Sequence, residues 1–426
     1  MKFAKKLEKS IKLTRNNLFL LLLIVLFLLV RLYNLEKVVN FSMDQGTTFL
    51  KLYDIWTTKK IPLIGPESSL KAINGLSFFH GPWVYYLLFP AALISHWNPL
   101  SASYLLISLN LLALIFLYKI FYRRFGLFAA LSFGLIYCLD FINIRYSQFA
   151  WNPNFLVFTS SLILGLLFII NKKNCKKISF FLGLLFGFSL TFHYLSLLLF
   201  IPFCGYWILQ KSRNLSFKLL FLGLLIPLMP QIVFELRHNF YNLQIIYLIL
   251  SGKGSSSISW LFSIHYFLIF LPFLYCLVSL FIKYLYQYNR FIGSLLLGAI
   301  TTGLLIIIIN QSQTAYTMPK GWNLPGIQKA SRIIIAENKK DYNVVNLLSG
   351  DTRDYPLRYF LTIANFKPLD VAEYPQAKYL FILARKDQNI TNNPVWEISS
   401  FCPCSIIWTK EIQNQIFLSL FKKSSL

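Results

Sequence analysis

His80-Gly81-Pro82-Trp83-Val84-Tyr85-Tyr86-Leu87-Leu88-Phe89-Pro90-Ala91-Ala92-Leu93-Ile94-Ser95-His96-Trp97 is apolar enough to pass for a membrane span, and whether it crosses decides on which side every later loop lies. If it crossed, Arg123-Arg124, the Lys172 to Lys177 cluster and the Lys211/Arg213/Lys218 group would all face outward. That would invert the positive-inside bias over three consecutive loops. Its own composition argues against crossing. It opens on His80-Gly81-Pro82, contains Pro90, and at ~16 apolar residues falls short of the ~20 that a helix needs to span hydrocarbon. Residues 82–97 therefore read as an interfacial or re-entrant helix, an assignment that returns all the cationic loops to one side.

On either side of this stretch, apolar runs recur at 18–30, 102–122, 125–143, 154–170, 178–209, 217–234, 260–282 and 291–310. The 178–209 run is long enough for a hairpin of two spans, so the count is about nine transmembrane helices. Composition agrees. At 56% hydrophobic and 13% charged residues, with mean hydropathy +0.57, 426 residues exceed what one soluble core could hide. The formal charge of +25 would suggest nucleic acid in a soluble protein. Here the cations sit in short clusters between apolar runs, without a basic stripe interleaved with aromatics, so no nucleic-acid partner is expected.

The Lys2, Lys5, Lys6, Lys9, Lys12 and Arg15 series precedes Leu18 to Val30 with no small-residue cleavage site after it, which reads as an uncleaved anchor with its N-terminus inside. The loops at 119–124, 171–177, 210–218 and 283–290 then share the cytoplasmic side. The outer face receives 34–101, 144–153, the turn near His193, 235–259 and everything after 310. The expected protein is multi-pass in a plasma membrane of prokaryotic type, with residues 1–310 as a transmembrane domain.

Residues 311–426 have ordinary polarity, strand-like runs at Val344 to Leu348 and Tyr379 to Leu383, and helix-like stretches at 325–338 and 355–365. They read as a small extracytoplasmic α/β domain. Cys138, Cys175, Cys204 and Cys276 lie in or beside apolar segments, and no cysteine has metal-ligand spacing. In the tail, Cys402 and Cys404 are two residues apart; they could oxidise if they face outward, but that span is awkward for a bridge, and the spacing leaves their state open.

The polar residues able to do chemistry collect at the outer face: Asp44, His80, Arg145, Gln148, Asn152, His193, Glu235, Arg237 and His238. Phe41-Ser42-Met43-Asp44-Gln45-Gly46-Thr47-Thr48 is followed by Phe49, Leu50, Tyr53 and Trp56 at helical spacing. This predicts an amphipathic helix on the membrane with an acid at its start. Asp44 is then either the N-terminal cap of that helix or a general base whose pKa is raised by partial desolvation. Arg145 and Arg237 stand at helix ends, where a cation also snorkels or pairs with Asp140 or Glu235. His193, in Thr191-Phe192-His193-Tyr194, marks the tip of a hairpin.

Asp44 after the first span, the motif Phe79-His80-Gly81-Pro82-Trp83-Val84-Tyr85-Tyr86 opening a short helix, and Arg145-Tyr146-Ser147-Gln148-Phe149-Ala150-Trp151-Asn152-Pro153-Asn154 come in an order that resembles the GT-C glycosyltransferases. The match is similar to the branch holding protein O-mannosyltransferases, lipid A aminoarabinose transferases and the bacterial Rgt-type enzymes. It covers residues 10–240 or so, with the tail placed like the extracytoplasmic domain many members carry. Departures are visible. The family often has Asp-Glu where this chain has Asp44-Gln45, Lys-Pro-Pro near His80-Gly81-Pro82, and a second Asp near Asn152.

The resemblance implies transfer of a sugar from a polyprenyl-phosphate donor to a protein, lipid or glycan acceptor at the outer face, with inversion. Asp44 would be the general base. Arg237, His238, Arg145 and His80 would bind the donor phosphate, and Asn152, His193, Glu235 and Gln148 would be further active-site candidates. Without the second carboxylate a divalent metal is not supported, and no other cofactor is implied. The competing reading, a transporter or lipid flippase, fits less well. Such proteins carry repeats and ionisable groups near the midplane, whereas the central spans here are nearly free of charge.

Overall fold

The computed structural model describes residues 2–209, 215–254, 264–311, 317–390 and 393–424. Lys211 and Arg213 of the third cationic loop, and residues 255–263 leading into the 260–282 run, lie outside the described residues. The chain divides into two compact units, Met1–Tyr33 with Ile61–Pro90 and Ala102–Asn310, and Asn34–Lys60 with Ala91–Ser101 and Gln311–Leu426. Two segments of the 34–101 stretch thus fall in the same unit as residues 311–426.

Among the described residues, six helices are long and apolar enough to cross a membrane: Leu100–Phe125, Asn152–Ile169, Cys175–Phe192, Phe217–Arg237, His265–Tyr288 and Arg290–Gln311. A pair bent by 58°, Leu127–Leu139 and Phe141–Ser147, makes a seventh if it counts as one span. Shorter apolar helices cover Asn16–Leu32, Trp83–Ile94, Tyr194–Gly205 and Tyr241–Leu250. This is an integral membrane protein by the standard of what its helices leave uncovered. Phe291, Leu295 and Ile309 on the last long helix are 73%, 61% and 71% exposed, and such rows of apolar side chains belong in lipid. The Trp83–Ile94 helix has 12 residues, which at ~1.5 Å rise each cannot bridge the ~30 Å of hydrocarbon.

Small residues set the closest helix contact. A Cβ on Gly183 would come 1.9 Å from the Leu220 carbonyl oxygen, and one on Gly223 would come 2.2 Å from that of Phe180. The Cys175–Phe192 and Phe217–Arg237 helices therefore pack backbone to backbone, as small residues permit in membranes. The bend at Asp140 leaves carbonyls without helical partners. Arg31, fully buried on the first helix, donates to two of them, Cys138 O at 3.0 Å and Tyr137 O at 3.3 Å, and to Ser147 Oγ at 3.0 Å. Asp140 holds the other side of the bend, accepting from Asn143 N at 2.8 Å and from the Tyr275 hydroxyl at 2.7 Å. A short antiparallel hairpin, β1 (Glu67–Lys71) and β2 (Ser77–Phe79), leads into His80.

In the other unit the tail folds as expected into a helix and sheet arrangement. β3 (Tyr342–Asn346), β4 (Tyr379–Arg385), β5 (Cys404–Gln413) and β6 (Ile416–Lys423) form one sheet in the order β3-β4-β6-β5. The β3–β4 pair is parallel and the remaining pairs are antiparallel. Helices Leu324–Glu337 and Tyr355–Ile363 accompany it, and Val345, Ile382, Ile398, Phe401 and Phe421 meet in its core. Cys402 and Cys404, whose state the sequence left open, are disulfide-bonded. Their Cα atoms are 4.6 Å apart, inside the span a disulfide bridges.

The Met43–Thr58 helix belongs to this second unit, which corrects the expectation that its apolar face lies on the bilayer. Phe41, Phe49 and Tyr359 form an aromatic cluster with ring centroids 5.4–5.8 Å apart. Asn40 Oδ1 accepts from Thr317 Oγ1 at 2.7 Å. At Gly46 a Cβ would meet the Tyr355–Pro356 backbone at 2.6 Å, so the helix and the tail meet where only glycine fits.

Candidate active site

Asp44 sits in the first turn of the Met43–Thr58 helix, but it does not cap it. Ser42 is the cap residue, and Gln45 reaches back so that its Oε1 accepts from Ser42 N at 3.2 Å and from Ser42 Oγ at 3.0 Å. This is a capping box, which Gln serves as well as Glu. The departure from the family's Asp-Glu pair thus leaves a residue fully employed in ending the helix, and the Asp44 carboxylate is released from that duty. Asp44 is reachable by solvent yet crowded by surrounding protein. The lost bulk water, and secondarily the charge of Asp351, raise its pKa above the usual carboxylate range. Asp351 is itself raised by burial, and its Oδ2 accepts from Tyr355 N at 3.2 Å. The acid that turns up beside Asp44 therefore comes from Gly350-Asp351-Thr352-Arg353-Asp354, far along the chain. Its location carried no sequence signal.

In the first unit, His80 and His193 come together. Their rings stack with centroids 5.3 Å apart, and Tyr194 stacks on His80 at 5.2 Å. The backbone builds this contact. Gly81 N donates to Thr191 O at 2.8 Å, and a Cβ on Gly81 would strike the Thr191 side chain at 2.3 Å, so the glycine of His80-Gly81-Pro82 admits the neighbouring helix end. The Tyr194 hydroxyl donates to Phe79 O at 2.5 Å. His193 Nδ1 accepts from Leu195 N at 3.3 Å and so caps a short 3-10 turn. Burial pushes His80 down to about 4 and His193 well below the ordinary histidine value, the latter with help from the neighbouring rings of His80 and His265. Both are neutral at physiological pH. The expectation that His80 offers positive charge to a phosphate has no support in its surroundings.

The third motif approaches the same cluster through Trp151, whose ring lies 4.7 Å from that of His265, itself 6.4 Å from His193. Asn152 is buried in the adjoining turn. Arg145 is buried with its guanidinium over Phe141, 4.9 Å from the ring centroid. Gln148 donates to Arg31 O at 3.0 Å, a bond that ties the bend to the first helix. Glu235 has one oxygen accepting from Leu243 N at 3.4 Å and the other buried without a partner. Arg237 and His238 are exposed at the end of that helix, His238 stacked on Phe234 with centroids 4.2 Å apart.

Sequence reading passed over Tyr194, Gln231 and His265. For Gln231 a signal existed, since it stands four residues before Glu235 in an otherwise apolar run and so shares its helix face. Among the described residues no three His, Cys, Asp or Glu side chains are placed to share a metal ion.

No protein-family model and no curated protein matches the chain. Solved structures do. The crystal structure of ArnT from Cupriavidus metallidurans bound to undecaprenyl phosphate matches at a TM-score of 0.58 and 10% identity, covering 95% of this chain and 97% of ArnT. The apo structure of the same protein matches at 0.58 and 11% identity, with the same coverage. At that identity the likeness is one of fold, and it runs through both units of the chain.

Proposed function

We propose that this protein is a membrane glycosyltransferase that moves a sugar from a polyprenyl-phosphate-linked donor to an acceptor at the outer face of the membrane. The observation that carries the reading is the fold it shares, nearly end to end, with a protein whose structure holds undecaprenyl phosphate. Asp44 serves as general base. It takes the proton of the acceptor hydroxyl while that oxygen attacks the anomeric carbon. The bond from that carbon to the phosphate oxygen breaks, and the polyprenyl phosphate leaves with the electron pair. A single displacement inverts the anomeric configuration. The raised pKa suits the role, because a base works best when its proton affinity lies near the working pH. Arg145 and Arg237 offset the phosphate charge, with His238 beside Arg237 as a further hydrogen-bond donor, whereas His80 is neutral.

The long helices, the bent pair and the Asn16–Leu32 and Tyr194–Gly205 segments supply the nine spans of the proposed topology, with the N-terminus cytoplasmic and the tail outside the plasma membrane. Reporters fused after Val39 and after Gln311 are expected to read out on the outer side; a cytoplasmic signal from either discards this topology.

The decisive test is transfer from radiolabelled polyprenyl-phosphate sugars by membranes containing wild type or Asp44→Asn at matched expression. Loss of transfer in the variant alone supports both the enzyme and its base. Equal transfer removes Asp44 from the chemistry, and no transfer by the wild type from any donor removes the enzyme.

A further inference from the structure

We propose that the buried cluster around His80 is a sugar-binding pocket, built to hold a neutral, hydroxyl-bearing ring and to exclude the phosphate that a cation at this position would attract. Three polar atoms there are buried with no partner: His80 Nδ1, Gln231 Oε1 and Glu235 Oε1. His80 itself is only 6% exposed. Leaving such atoms unsatisfied is costly, and several in one place point to a ligand that completes them.

They are one neighbourhood. A Cβ on Gly81, next to His80, would lie 2.9 Å from Gln231 Oε1. Gln231 lies near enough to the Tyr194 hydroxyl to act on it, and Tyr194 stacks on His80. Glu235 follows Gln231 by one helical turn and is near enough to act electrostatically on Tyr194.

The chemistry of the unpaired atoms selects the ligand. Gln231 Oε1 and Glu235 Oε1 only accept, so the ligand must donate. Sugar hydroxyls do, whereas a phosphate brings mainly acceptors and a negative charge that Glu235 repels. The histidines, uncharged at neutral pH, are no counter-ion but can donate or accept toward a hydroxyl, and the flat faces of Tyr194 and the His80–His193 stack suit the apolar face of a sugar ring. That the hydroxyl-bearing ligand is a sugar rests on the transferase reading above; whether the ring is the donor's or the acceptor's is decided by the test.

The test measures binding to the purified full-length protein in lipid nanodiscs. The probes are undecaprenyl phosphate, a panel of undecaprenyl-phosphate-linked hexoses, pentoses and amino sugars, and the matching free methyl glycosides. Glu235→Gln and Gln231→Met are compared with wild type at equal melting temperature. A linked sugar is expected to bind more tightly than undecaprenyl phosphate alone, and each variant to erase about 5- to 10-fold of that preference while leaving affinity for undecaprenyl phosphate unchanged. Loss confined to the free glycosides keeps the sugar pocket and assigns it to the acceptor. The proposal is overturned if the variants weaken undecaprenyl phosphate itself, if no linked or free sugar binds, or if sugar binding is indifferent to both variants. Asp44→Asn, included throughout, retains the sugar preference. Sugar binding without transfer in the wild type would therefore count against the enzyme and not against the pocket.

Discussion

Around Asp44 and around His80 the protein buries ionisable groups, and burial acts on them in opposite directions. Near Asp44, desolvation raises Asp44, Asp351 and Asp354, the last to about 7, and each acid holds its proton more firmly. Near His80, the same loss of water pushes the histidines down, His80 to about 4. In both places the neutral form gains. The outcome for chemistry differs. A carboxylate with raised proton affinity becomes a better base, while a histidine with depressed affinity gives up its charge and is left with hydrogen bonding and stacking. One region is fitted to move a proton, and the other to recognise an uncharged ligand.

This contrast can be broken in several ways. The largest expected effect is on transfer: Asp44→Asn should lower the rate by ~10²- to 10⁴-fold, the usual worth of a general base, whereas His80→Asn should act mainly on KM for the substrate whose sugar ring it holds. A rate loss in His80→Asn as deep as that of Asp44→Asn would erase the distinction. Next comes the joint that carries Asp44. In Gly46→Ala the new methyl meets the Tyr355–Pro356 backbone, and the second unit should lose ~1–3 kcal/mol, the range for overpacking, read as loss of hydrogen-exchange protection in the Tyr355–Ile363 helix.

The pH dependence of stability should have opposite signs in the two regions. His80 has a folded pKa of about 4, below the unfolded value near 6.5, so the unfolded chain binds more protons in that window. Its contribution, on the order of 3 kcal/mol, is present above pH 6.5 and lost as pH falls toward 4. His80→Asn should flatten the acid loss of protection in the first unit. Asp354 behaves the other way. Its folded pKa, about 7, exceeds the unfolded value, so its stabilisation is complete below pH 4 and lost as pH rises through 7. Asn at 354 can still accept from Leu357 N, as Asp354 Oδ1 does at 3.2 Å, and Asp354→Asn should therefore stabilise the second unit at pH 8 but not at pH 4. If both regions lose protection in acid with the same sign, the contrast fails.

The smallest effect belongs to Asp351→Asn. Removing that charge should lower the Asp44 pKa and carry the acid limb of the transfer profile to lower pH, with about 2- to 5-fold more activity, relative to the maximum, at the wild-type half-point. An unmoved limb would separate Asp351 from the base.

Much of the molecule was legible in its residues because hydropathy and charge are local properties. The long apolar runs, the short 82–97 helix and the strands at 342–346 and 379–385 each depend on neighbours a few residues away, and period and length identify them. Asp44, His80 and His193 were nominated by motif and position. What the sequence left open was every relationship between distant segments. Ser42 and Gln45 took the cap, the Met43–Thr58 helix gave its apolar face to Tyr359 instead of the bilayer, and Asp351 came to stand by Asp44. Likewise, the charge state of His80 followed from its burial beside His193 and Tyr194, since the intrinsic pKa of an imidazole is a property of the residue but its desolvation is a property of whatever the fold packs around it.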